Sequence, residues 1–167
     1  LGQDLTLERL QRVGGGDINE AAIAHTSDGE YFVKWNRGGI RDLFAREAEA
    51  LEQMRASDTE LRIPRPITHR EPEVDSGRPG FLVMEYLESG SPADDWAERY
   101  GRGLAQLHRE SAEQFGFHHD NYCGTTPQPN AWRDDWVDFY REQRLRHQLK
   151  LAVDHRNVSS SDRRAFD

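Results

Sequence analysis

At 167 residues, with 35% hydrophobic and 31% charged residues, the chain has room for one domain or one and a half around a real core. Its formal net charge of −8 argues against nucleic acid and against an anionic membrane surface as partners, since both require a basic patch. No apolar run approaches the ~18 residues needed to span a bilayer, no signal-peptide pattern opens the chain, and the single cysteine, Cys123, excludes an internal disulfide and makes a reducing cytoplasm the expected location.

In chain order, residues 4–13 carry Leu5, Leu7, Leu10 and Val13, which predicts a short helix or a helix leading into a strand. Gly14, Gly15, Gly16 and Asp17 follow as a glycine-rich turn. Residues 18–26 alternate as a strand does, Ser27-Asp28-Gly29-Glu30 signals a tight turn, and 31–36 (YFVKWN) are aromatic and β-branched, a second strand. After a loop at 37–42, residues 43–57 predict a helix with apolar Leu43, Phe44, Leu51 and Met54. Prolines 64 and 66 forbid helix and keep 62–67 extended. Residues 71–80 form a loop and 81–87 (FLVMEYL) a buried strand, broken by Ser89-Gly90-Ser91-Pro92.

Beyond that break the periodicity becomes helical. Trp96, Tyr100, Leu104 and Leu107 recur every three or four residues within 93–113, and His108 ends that stripe as a packing or capping residue. Residues 120–130 are a polar loop. A second helical stretch over 132–153 carries Trp132, Trp136, Phe139 and Tyr140, whose spacing places them mostly in a core. Cys123 has no partner for a metal site and is expected to be structural.

Three features point to chemistry. Consecutive glycines permit backbone angles closed to other residues and leave N–H groups free to approach a phosphate. The run does not match G-x-x-x-x-G-K-[ST], and strand–turn–strand follows it, which fits a flap over a nucleotide. Lys34 shares a strand face with Phe32, opposite Tyr31, Val33 and Trp35; alone, it is as readily an edge lysine keeping its head in water. Glu47, however, falls near the centre of the apolar arc of helix 43–57, where a carboxylate is costly unless paired. Lys34 is the expected partner. Glu49 points to the opposite side and is expected at the surface. Such a lysine–glutamate pair after a glycine loop is how protein-kinase-like folds position ATP phosphates. Glu85, Tyr86 and Leu87, closing the strand FLVMEYL, then stand where backbone groups would meet an adenine edge.

The segments GGGDINEA (14–21), YFVKWN (31–36), LFAREAEAL (43–51), IPRP (63–66), LVMEYL (82–87), GLAQLH (103–108), FGFHHDNYCG (115–124) and QPNAWRDDWVDFYREQRLRHQ (128–148) together resemble the fructosamine-3-kinase / ketosamine-3-kinase family. The run from 115 to 148 is the most specific part. The resemblance implies an α+β, protein-kinase-like fold: an antiparallel-sheet N-lobe with one helix over 1–88, and the start of a helical C-lobe over 89–167. It implies an ATP- and Mg²⁺-dependent kinase for the sugar 3-hydroxyl of ketosamines, the products of amine glycation. By position, Gly14, Gly15, Gly16, Asp17, Ile18 and Asn19 would form the nucleotide loop, Lys34 the phosphate-contacting lysine, Glu47 its partner, and Glu85, Tyr86 and Leu87 the adenine hinge. Some relatives carry a redox-active cysteine in that loop; Asp17 stands there here, so no such switch is expected.

The family's His-Gly-Asp-Leu-Trp motif is absent. His118-His119-Asp120 is superficially similar but lies within the FG…DNY segment and is not expected to be catalytic. The catalytic Asp and the metal ligands are therefore expected downstream of residue 167, and this chain alone is expected to be inactive. Rival readings are a kinase for an aminoglycoside or choline-like alcohol, and a non-catalytic partner-binding module. An incomplete C-lobe would expose apolar surface suited to a homodimer.

Overall fold

The computed structural model describes residues 5–14, 16, 18–38, 40–73, 75–159 and 164. The chain divides into two compact units, Leu1–Glu110 and Ser111–Asp167. The sequence break at 89–92 thus falls inside the first unit.

The first unit is built on a five-stranded antiparallel sheet of β1 (Leu7–Val13), β2 (Glu20–Thr26), β3 (Gly29–Asn36), β4 (Pro66–Arg70) and β5 (Gly80–Glu85), in the order β1-β2-β3-β5-β4. Helix α1 (Leu43–Ala56) joins β3 to β4, and α2 (Trp96–Leu107) follows β5. The register sets one face of the sheet. Phe32 lies opposite Ile23 on β2 and Met84 on β5, and Lys34 opposite Ala21 and Leu82. Phe32 and Leu51 pack on the buried cluster of Phe44, Ala48, Leu82 and Met84, within which Phe44 and Leu82 are fully buried. Burying each of those two contributes about 1.5–3 kcal/mol. The apolar arc read from α1 is thus its inner face, although Met54, at its end, is exposed.

Where the fold departs from expectation, pairing overrides local pattern. Residues 7–13 are strand throughout, not helix. The three-residue spacing of Leu7, Leu10 and Val13 mimics a helical stripe, but β2 offers a ladder of hydrogen bonds from Arg9 to Val13, with a register shift between Leu7 and Arg9. All seven residues remain exposed on the sheet's edge. Residues 66–70 become a second edge strand; Pro66 is tolerated as its first residue because it has no N–H to offer a ladder. Strand β5 stops at Glu85, so Tyr86 and Leu87 lie just beyond it.

Helix α1 begins at Asp42, whose φ of 57° is left-handed and whose side chain makes no cap bond. Glu71, from the segment after β4, supplies the cap: its Oε1 accepts the Ala45 N–H at 2.8 Å. Helix α2 is held against the α1–β4 connection by Thr59 Oγ1 donating to the Gly103 carbonyl at 2.8 Å and the Glu60 N–H donating to Gln106 Oε1 at 2.8 Å. Gly103 permits that approach, because a Cβ there would stand 2.6 Å from Leu61 Cγ. His108 is the C-cap residue of α2, its N–H donating to the Leu104 carbonyl.

The second unit holds a small hairpin of β6 (Asn121–Cys123) and β7 (Thr126–Gln128), then α3 (Trp136–Tyr140), a π-helical turn over Arg141–Arg146 and α4 (His147–Asp154). The hairpin replaces the expected loop at 120–130; Gly124, with φ of 66°, supplies the left-handed residue of its turn. Cys123 is exposed at the end of β6. Of the aromatic set expected in a core only Phe139 is buried; Trp136 is 52% exposed, Tyr140 44% and Trp132 38%. Among the described residues of this small unit, only Asn130, Phe139 and Gln143 are buried.

Candidate functional site

Lys34 and Glu47 meet. The register of β3 directs Lys34 to the face covered by α1, and Glu47 stands one turn after the buried Phe44 and next to Ala48. Lys34 Nζ donates to Glu47 Oε1 at 2.6 Å. Both side chains are half-buried, at 25% and 30% exposure. The pair is therefore neither sealed in the core nor free in solvent, and the ammonium retains donors for a further anion. Glu49, expected at the surface, is instead half-buried and accepts from Arg46 at 3.2 Å.

The glycine turn lies between β1 and β2. Gly15 and Asp17 fall outside the described residues. A Cβ on Gly16 would stand 2.5 Å from the Asn19 carbonyl oxygen, so only glycine closes this turn, while nothing crowds Gly14. Gly14, Gly16, Ile18 and Asn19 line an open cavity of about 390 Å³ whose other walls include Arg12, Glu20 and Ala21. Ala21 is the β2 residue directly opposite Lys34. The cavity wall thus leads from the glycine turn to the strand position of the lysine. Two contacts that sequence reasoning missed brace the turn. Asn36, ending β3, donates through Nδ2 to Asn19 Oδ1 at 2.5 Å. Arg12 pairs with Glu20 at 3.0 Å and lies over the Trp35 ring. Neither could be found from periodicity, because each joins residues on neighbouring segments.

At the end of β5 the three expected hinge residues behave differently. The Glu85 carboxylate is occupied: Oε1 accepts from Arg62 Nη2 at 2.6 Å and Oε2 from the Arg65 N–H at 3.2 Å. Its own N–H donates to the Arg65 carbonyl. The Arg62 hydrogen bond, aided by that backbone donor, holds the Glu85 carboxyl below its ordinary value. Glu85 therefore anchors the strand end, and Tyr86 and Leu87 follow directly after it.

In the second unit the family-specific residues satisfy one another. Asn130, 2% exposed, donates its N–H to Asp120 Oδ1 at 2.9 Å and its side-chain amide to the His119 carbonyl and Asn121 Oδ1. Its Oδ1 accepts from Arg144 at 2.6 Å, and Arg144 also donates to the Pro129 carbonyl and lies over the Phe139 ring. Burial lowers the Arg144 guanidinium from its ordinary value. Asp120 thus holds the backbone of Asn130. The π-helical turn carries Arg144 to this place (extra residues in a helix re-aim the side chains that follow).

A sequence model of fructosamine kinases matches residues 1–166. The chain belongs to the fructosamine kinase family. It is 41% identical over 152 residues to a Synechocystis protein named "Probable ketoamine kinase", covering 90% of this chain and 50% of that one. It is 40% identical over 155 residues to a chloroplastic protein-ribulosamine 3-kinase of Arabidopsis thaliana, covering 92% and 46%. The crystal structure of a Thermobifida fusca protein assigned as a fructosamine-3-kinase superposes with a TM-score of 0.78 at 28% identity, covering 95% of this chain and 53% of that one. A Haemophilus somnus counterpart at 22% identity and TM-score 0.80 shares the fold. The α+β, protein-kinase-like fold expected from the sequence is the one found. The chain spans about half the length of the curated relatives it matches.

Proposed function

We propose that this chain forms the nucleotide-binding part of an ATP-dependent kinase that phosphorylates the sugar 3-hydroxyl of ketosamines. The observation that carries the reading is the 2.6 Å Lys34–Glu47 pair beside a glycine turn that admits no side chain at Gly16. An ammonium fixed by a carboxylate can contact phosphate oxygens without first being ordered, so less orientational freedom is lost on binding. Gly14, Gly15, Gly16, Asp17, Ile18 and Asn19 cover the phosphates, and Tyr86 and Leu87 present backbone groups to adenine beside an anchored Glu85.

Bound ATP supplies the transferable phosphoryl group. The base for the acceptor hydroxyl and the ligands for Mg²⁺ are both required by this chemistry; no residue of this chain is assigned to either role. In this reading residues 1–88 are the N-lobe and 89–167 open the C-lobe, and the protein works in a reducing compartment such as the cytoplasm. Among the described residues no helix is long and apolar enough to cross a membrane. The exposed Trp136 and Tyr140 rings support self-association of the second unit.

The test uses the full-length protein that contains this chain. With ATP and Mg²⁺ it should consume ATP when a fructosamine or ribulosamine is added and yield the 3-phosphate. Turnover on aminoglycosides or choline but on no glycated amine would overturn the substrate assignment. Unchanged nucleotide affinity in Lys34→Met would overturn the site.

A further inference from the structure

The first unit has another cavity, about 410 Å³, away from the glycine turn. Arg55, from the last turn of α1, and Arg62 and Arg65, from the extended stretch before β4, line it together with Glu85. Leu61 and Ile63 add an apolar wall. In a chain of net charge −8, three arginines line this cavity with one carboxylate.

Arg62 and the Arg65 N–H compensate Glu85, at 2.6 and 3.2 Å. Arg55 donates to the Ile63 carbonyl at 2.8 Å, which fixes its guanidinium at the cavity, and lies 3.9 Å from the exposed Glu52, a long and screened contact. The Arg65 guanidinium has no hydrogen bond or ion pair among the described residues. Glu85 cancels Arg62, so Arg55 and Arg65 remain. A dianion balances both, whereas a monoanion leaves one positive charge over. Guanidinium forks match the paired oxygens of a phosphate.

We propose that this cavity binds a phosphate dianion, free or as the phosphomonoester of a small molecule, through Arg65 and Arg55. It is distinct from the glycine-turn cavity, with which it shares no lining residue, although Glu85 also ends the strand read as the hinge.

The chain is titrated in low-chloride buffer with inorganic phosphate and, separately, with a hexose phosphate, following the arginine Nε–H resonances by NMR and the heat by calorimetry. Saturable binding of either probe, shifting the Arg55 and Arg65 signals, is the expected result. The tighter probe identifies the source. Arg65→Ala should weaken that binding about tenfold or more while leaving the circular dichroism unchanged, because the backbone N–H that holds Glu85 is kept. Lys34→Met should leave it intact, which separates this site from the nucleotide loop. No saturable binding of either probe, or equal binding by Arg65→Ala, overturns the proposal.

Discussion

Lys34 on β3 donates to Glu47 on α1 across 2.6 Å, and the pair is about one-quarter to one-third open to solvent. That partial exposure decides what the pair is for. A half-exposed ion pair adds about 0.2–1 kcal/mol to stability, too little to justify placing two charges on a core-facing stripe. In the function proposed above, its value lies in holding an ammonium where phosphate oxygens arrive. Lys34→Met should therefore shift the unfolding midpoint only slightly yet lower nucleotide affinity about tenfold or more. In the full-length enzyme kcat/KM should fall by about a hundredfold or more. Glu47→Gln should cost less, since a neutral amide still accepts the hydrogen bond. Nucleotide titration and denaturant melts on the same variants separate the two effects.

Two glycines of α2 should respond in opposite directions to the same change. Gly101 is exposed and nothing lies within 4 Å of its added Cβ, so Gly101→Ala should stabilise by about 0.5–1 kcal/mol through helix propensity alone. At Gly103 the same gain competes with a Cβ 2.6 Å from Leu61 Cγ and 3.3 Å from the Leu61 nitrogen. Overpacking of that kind costs about 1–3 kcal/mol, so Gly103→Ala should be destabilising on balance and should weaken the Thr59–Gly103 bond. Thermal melts of the two variants, with hydrogen exchange at residues 57–63, check the pair.

These contacts show what sequence could and could not reveal. Lys34 and Glu47 were legible because each breaks a pattern: a cation on the Phe32 face of a strand, a carboxylate inside an apolar arc. Once both elements were placed, they had few other partners. Arg62–Glu85 and Asn36–Asn19 join residues 23 and 17 apart through segments without periodicity, and nothing local marks them. The spacing of Leu7, Leu10 and Val13 is helical, while what decides the conformation of β1 is β2, a neighbour across a turn. Spacing alone points Trp132, Trp136, Phe139 and Tyr140 to a core. Spacing defines a face but not what covers it, and here Phe139 alone is covered.

Acid should test the Arg62–Glu85 anchor. The folded carboxyl titrates below the ordinary glutamate value of 4.5, first because of the Arg62 hydrogen bond and then the Arg65 N–H. The stabilisation is therefore complete above that unfolded value and is lost as pH falls through the lower folded one. Wild type should lose this increment in that acid window, and Glu85→Gln should already lack it at neutral pH and show a flatter acid limb. Added salt should shrink the difference, because the carboxylate is 30% exposed. Unfolding midpoints against pH, with and without salt, provide the comparison.

Arg144 and Arg141 lie three residues apart on the π-helical turn and should differ sharply on removal. Arg141 pairs with Asp138 and Glu142, but its side chain is 51% exposed. Arg141→Ala should change stability by no more than about 0.5 kcal/mol. Arg144 donates to the Pro129 carbonyl and to Asn130 Oδ1, each at 2.6 Å, and stacks on the buried Phe139. Removing it leaves Asn130, 2% exposed, with an unmatched acceptor, and uncovers one face of Phe139. An orphaned buried acceptor costs about 1–3 kcal/mol, and the lost ring contact adds to it. Arg144→Met, which keeps the apolar stem, should therefore destabilise the second unit by about 2–3 kcal/mol. Arg144→Lys should recover only part, because an ammonium cannot span two acceptors as a guanidinium fork does. Hydrogen exchange resolved to residues 119–147 should show the loss confined to the second unit. Equal exchange in Arg144→Met and Arg141→Ala would mean that the most family-specific stretch of the chain is not held together by this network.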